Sequence, residues 1–169
     1  MSTRLAYRLR QFWNALPVSR KRVETGALLP HLSLTQIVLF RQMQFSEQAH
    51  AYQMLERLKA AGQSDSDLLA AVLLHDVGKI LYPLSLLDRV AIVLGKCFFR
   101  RSAQRWSEGT PEGVRRAFVV AAHHPTWGAE LAEKAGASPR AVDLIRRHQG
   151  APPADDPLLA ALQSADDVS

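Results

Sequence analysis

Apolar residues along this chain recur at spacings of three and four. Leu5, Leu9, Phe12, Trp13 and Leu16 form one such stripe, the mark of an amphipathic helix, and Pro17 stops it. Leu28 to His31 reads as a turn or short helical piece around Pro30. Helices are predicted over 33–42 and 46–61, the second with Ser46 as N-cap and Gly62 as its end. "GQSDSD" links to the next helix, capped by Asp65 or Ser66, which carries Leu68, Leu69, Val72 and Leu73 into a core. Gly78 is read as its C-terminal stop. Residues 84–99 read as a helix apolar on more than one face, and 109–113 as a loop. A helix over 114–122 is closed by Pro125, and a short one over 126–135 is ended by Gly136. Ser138 caps another helix, with Pro139 at its first position, running to about His148. After the loop "QGAPPADDP" the last helix covers 158–167. There is no alternating β-branched run, no βαβ rhythm and no internal repeat. The pattern predicts an all-α fold. The N-terminal forty or so residues, 1–43, are expected as a helical arm packed on the rest, being too few for a core of their own.

Composition agrees with one folded domain. The 169 residues are 47% hydrophobic, enough for a real core and unlike a disordered chain. The longest apolar region, Leu86 to Phe99, is broken by Asp88, Arg89 and Lys96 and is too short to span a bilayer. The first twenty residues have no apolar stretch of signal-peptide length. One cysteine, Cys97, allows no internal disulfide, so a reducing, cytoplasmic setting is the expectation. In its apolar context Cys97 reads as a buried small hydrophobe rather than a nucleophile.

The formal charge of +5 suits an anionic partner: a phosphorylated metabolite, a nucleic acid or an acidic lipid surface. The basic N-terminal stretch leaves three readings: a helix docked on the domain, a membrane-surface helix, or a nucleic-acid contact. No recognised nucleic-acid reader motif is present, so no specific nucleic-acid partner is expected, and peripheral membrane contact is the lesser reading.

The central helix raises a chemical question. "LLAAVLLHDVGKI" is a greasy run that ends in His75, Asp76 and Lys79. Imidazole and carboxylate together hold borderline divalent ions well. Adjacent helical residues diverge by about 100°, so other helices must supply the remaining ligands. Five of the six histidines recur in marked contexts: His50 in "HAYQML", His75 in "LLHDVGK", His123 and His124 in "HHPTWGAEL", and His148 in "IRRHQ". Asp166 follows in "SADD". The bland readings are a helix cap for His75 and Asp76, and interfacial histidines elsewhere. Lys79 has its own: it neutralises a helix end.

This order of motifs resembles the HD-domain superfamily of metal-dependent phosphohydrolases over residues 44–169. The resemblance implies a helical HD-domain bundle with an N-terminal helical arm. It implies a first divalent ion on His50, His75, Asp76 and Asp166, and a second shared through Asp76 with His124 and His148. His124 is preferred to His123 because Pro125 and Gly128 complete a His-Pro-x-x-Gly pattern, and Asp166 to Asp167 because it follows Ala165. Mn, Fe, Mg, Co, Ni and Zn all remain open, as does the number of ions, one or two.

The activity implied is attack of a metal-bound hydroxide on the phosphorus of a nucleotide or related phosphorylated small molecule, as phosphomonoesterase, phosphodiesterase or pyrophosphohydrolase. Asp76 and Lys79 would be catalytic, with Lys79, Arg146 and Arg147 contacting the substrate. His148 is followed by Gln149, Gly150 and Ala151, which departs from the subgroup that cleaves cyclic di-GMP. The layout from His124 to Asp166 is more similar to small HD proteins that cleave dinucleoside polyphosphates. The alternative function is a non-catalytic metal-binding domain for sensing or interaction.

Overall fold

A computed structural model describes residues 22–151 and 155–167, with Lys96 and Arg100 as backbone alone. The helix expected over Leu5 to Leu16 lies outside the described residues. Within them the chain is all-α. Helices α1 (Thr25–Leu28), α2 (Leu34–Arg41), α3 (Phe45–Ala60) and α4 (Ser66–Leu74) lead into a 3-10 turn, Val77–Leu81. Helices α5 (Leu86–Phe98), α6 (Arg100–Trp106), α7 (Arg116–Lys134), α8 (Pro139–Arg147) and α9 (Pro157–Asp167) follow.

Local chemistry sets most of the ends. Ser33 and Ser85 cap α2 and α5 in reciprocal capping boxes, and Asp65 accepts from Leu68 N to cap α4. Ser138 Oγ accepts from Ala141 N to cap α8 and donates to Asp67 at 2.6 Å, tying α8 to the start of α4. Ser138→Ala removes both bonds and is expected to cost about 1–2 kcal/mol, read as a lower urea midpoint at unchanged slope. Gly62 and Gly136 follow α3 and α7 with φ near +80°, where backbone bonds from the residues beyond close the last turns.

Helix α4 is the axis of the core. Leu68, Leu69, Ala71, Val72, Leu73 and Leu74 are all buried, so it is apolar all round, as a helix covered on every side must be. It packs against α3, α8 and α9. Each fully buried leucine contributes about 1.5–3 kcal/mol of transfer free energy. Leu28, Leu32, Phe40 and Met43, which precede residue 44, lie in this same core. Arg41 fastens them further: its guanidinium donates to Val23 O and Thr25 Oγ1, and to Gln48 Oε1 on α3.

Four expectations are corrected. Gln44, not Ser46, caps α3, because Glu47 reaches back to the Gln44 N–H in a capping box. Gly78 does not stop α4; the helix already ends at Leu74, and Gly78 sits inside the 3-10 turn. Pro125 does not divide two helices; α7 runs through it. Proline removes its own N–H and crowds the carbonyl four residues back, but neighbours buried on both sides of it hold the helix together. Finally, α6 follows α5 directly, where no helix was expected. It is held at its end by Trp106, whose ring lies 5.1 Å from that of Phe118 on α7.

Helices α5 and α6 stand apart from the main core. Leu84, Ala117 and Val120 form a small second cluster with Tyr82, Ile92 and Trp127, and this seats α5 on α7.

Candidate metal centre

The chain leaves α4 at His75 and turns at Asp76 (φ −94°, ψ 0°) into the 3-10 turn. This change of backbone lets two adjacent side chains reach one place. His75 Nε2 lies 3.6 Å from Asp76 Oδ2. Helix α7 crosses the turn at glycines on both sides. A Cβ on Gly78 would lie 2.1 Å from His124 O and 2.7 Å from Gly128 N. That close approach brings His124 against Asp76, Nε2 to Oδ1 at 3.2 Å. The end of α8 adds His148, α3 adds His50, and the end of α9 adds Asp166.

The six side chains form two groups of three: His50, His75 and Asp166, and Asp76, His124 and His148. Within each, the candidate ligand atoms lie within 4.8 Å of one another. The groups touch. His75 Nε2 is 3.8 Å from Asp166 Oδ1, and the His75 and His148 ring centroids are 5.1 Å apart. His50 Nε2 is 3.1 Å from Asp166 Oδ1.

Three of the histidines share one local design. Each places Nδ1 on a carbonyl of its own helix: His75 on Val72 O (2.8 Å), His124 on Val120 O (3.0 Å) and His148 on Ile145 O (2.7 Å). A carbonyl only accepts, so Nδ1 carries the proton, and in the neutral ring Nε2 is left a bare lone pair. All three Nε2 atoms are buried and have no hydrogen-bond partner. A buried acceptor without a donor is costly, and here two carboxylates stand beside them. Imidazole nitrogens turned inward by backbone hydrogen bonds, mixed with carboxylate oxygens, are a donor set for a borderline divalent ion.

The electrostatics agree. Burial disfavours charge on Asp76, but the Lys79 ammonium leads the opposing causes and the carboxyl is held well below its usual range. Lys79 Nζ is 2.5 Å from Asp76 Oδ2. Burial also disfavours charge on Asp166, and the bond from His50 with the field of His75 outweighs it and lowers that carboxyl. Burial depresses His124, and it lowers His148 to about 3, helped by the neighbouring imidazoles.

The sign of the resulting pH dependence is fixed. Between the lowered folded values and about 6.5, the unfolded chain binds protons at His124 and His148 that the folded chain does not. Stability therefore falls as pH drops through that window, by about 1.4 kcal/mol per unit per fully shifted histidine. Metal-free protein in chelator is expected to show a lower urea midpoint at pH 5 than at pH 7. An equal or higher midpoint would contradict the buried neutral rings.

The remaining sequence candidates fall elsewhere. His123 is exposed, stacks on Trp127 and reaches Ser107 O, and Asp167 is exposed. Arg147 is engaged by Asp143 (2.9 Å) and Asp156 (3.2 Å) on the outside of α8, and Arg146 is exposed on its last turn. Sequence reasoning missed Glu47, which is 2% exposed. Its carboxyl is raised by burial against the field of Lys79, and it accepts from Arg89 at 3.0 Å. Arg89 also donates to Gln44 and Ser46, so it clamps α5 to the start of α3. The Gln44-x-x-Glu47 capping spacing was the available signal for Glu47.

A helical bundle that gathers four imidazoles and two carboxylates from five segments defines a metal-site scaffold. The family model described as HD domain matches residues 48–169, and the chain belongs to that family. HD domains bind divalent metal ions and make up a superfamily of metal-dependent hydrolases. Neither the search of curated proteins nor the search of solved structures gave a match. Among the described residues no helix is long and apolar enough to cross a membrane.

Proposed function

We propose that the protein hydrolyses a phosphate ester or anhydride of a nucleotide or related small molecule. The observation that carries this reading is the set of three buried Nε2 atoms that lack a hydrogen-bond partner, beside Asp76 and Asp166. In this reading His50, His75, Asp76 and Asp166 hold one divalent ion, and Asp76, His124 and His148 hold another. Bound there, such ions supply Lewis acidity for water activation and for the charge on a phosphoryl group. Asp76 lies between the two groups and orients both. Lys79 neutralises Asp76 here, and its side chain, 17% exposed, offers a cation beside the candidate ligand groups for a substrate phosphate. With Arg147 occupied by two carboxylates, Arg146 is the arginine we assign to the anionic substrate.

The test is metal analysis of untagged protein, followed by a screen of nucleotide and generic phosphate substrates with Mn²⁺. The expected result is bound transition metal that falls sharply in His148→Ala, and turnover that falls with it. Metal binding without turnover of any phosphate substrate would make the protein a sensing or interaction domain. No metal after reconstitution would remove the hydrolase reading.

A further inference from the structure

Helix α5 is anchored on one side only. Ile92 enters the small cluster with Leu84, Ala117 and Val120, and Gly95 lies against the Phe118 ring, where a Cβ would sit 2.5 Å from it. The other side carries Leu87, Ala91, Leu94 and Phe98, spaced by four, three and four, which places them on one helical face. All four are exposed: Leu87 is 80% exposed, Phe98 59% and Leu94 41%. Leu86 and Phe99 extend the patch at 52% and 60%. Single exposed leucines need no explanation, but a continuous stripe ending in two phenylalanines does.

Charge selects what covers it. Lys96, Arg100, Arg101 and Arg105 follow along the chain, with no acid between Arg89 and Ser107. Arg101 and Arg105 are exposed on α6, on the face shared by positions three and four apart. Residues 1–23 carry six more cations and no acid. These two segments hold ten of the chain's 21 Lys and Arg and none of its 16 Asp and Glu, so the remainder is acidic. A second copy of the same face, or the basic N-terminal segment, would set cations against cations. A surface that is apolar below and anionic above satisfies both the stripe and its flanks.

We propose that α5 and α6 form a peripheral docking face for an anionic lipid bilayer, with Leu87, Leu94, Phe98 and Phe99 entering the headgroup boundary and Arg101 and Arg105 pairing with lipid phosphates. The face is separate from the metal centre, so the proposal does not rest on the hydrolase reading.

The test is co-sedimentation of the full chain with vesicles of phosphatidylcholine alone and of phosphatidylcholine mixed with phosphatidylglycerol. The protein is expected to pellet with the anionic vesicles and to be released as salt is raised. Leu87→Ser with Phe98→Ser is expected to lower partitioning by about tenfold or more, and Arg101→Gln with Arg105→Gln by about tenfold. Both double variants change exposed residues, so metal content and turnover of a soluble substrate should stay at the wild-type level. Wild type that stays in solution with both vesicle types would overturn the proposal, as would variants that pellet like wild type. A concentration-dependent dimer abolished by Leu87→Ser with Phe98→Ser, without vesicle binding, would assign the face to a second copy instead.

Discussion

On the proposed hydrolase reading, Asp76→Asn is expected to lower phosphate hydrolysis by about a thousandfold while leaving the fold in place. The change keeps the shape of the side chain but removes its charge. Asp76 is buried, lies within 3.2 Å of His124 Nε2 and 3.6 Å of His75 Nε2, and belongs to one candidate ligand group while touching the other. Losing it therefore weakens both groups, unlike loss of a candidate ligand such as His50 that belongs to one group alone. Several kcal/mol of transition-state stabilisation depend on such ions, and each 1.4 kcal/mol is about tenfold in rate. The substitution also strands the Lys79 ammonium beside a neutral amide. Metal content is expected to fall in parallel, and circular dichroism should report an unchanged helical content. Turnover within about tenfold of wild type, with metal retained, would contradict the central role given to Asp76.

Gly78→Ala is expected to be the most damaging single methyl group in the chain, costing about 3 kcal/mol or more and lowering the melting temperature by about 6–12 °C. The added Cβ meets backbone atoms, His124 O at 2.1 Å and Gly128 N at 2.7 Å, and a backbone in a buried helix cannot step aside as a side-chain tip can. Relief requires α7 to move off the 3-10 turn, which carries His124 away from Asp76. Metal affinity is thus expected to fall together with stability. Gly26→Ala is the matched control, because a Cβ there meets nothing within 4 Å. Equal stability of the two variants would show that the crossing of α7 over the turn is looser than described.

Gly78 also marks the limit of what the sequence could convey. Gly78 looks like a helix stop in one dimension, because glycine ends many helices. Its true partner is a carbonyl forty-six residues away, and no local pattern contains that distance. Pro125 misled in the same way: local rules break a helix there, while burial of Phe118, Val120, Ala129 and Ala132 on either side keeps α7 continuous. The caps at Asp65 and Ser138 were legible because a cap needs only a side chain and an N–H three residues on. Glu47 was readable for the same reason, at the right spacing from Gln44, and was passed over for Ser46.

The all-α class, the family and the histidines and aspartates that converge in the fold were thus legible in the sequence, in periodicity, caps and the order of five histidine and aspartate motifs. Only the tertiary structure decided that six side chains from five segments meet, that three imidazoles turn an unpartnered Nε2 inward, and that one face of α5 is left exposed among the described residues. Periodicity and capping act over one helical turn, so they survive in a linear string. Ligand convergence, tautomer and exposure depend on which helix ends up beside which, and that is set by packing across the whole chain.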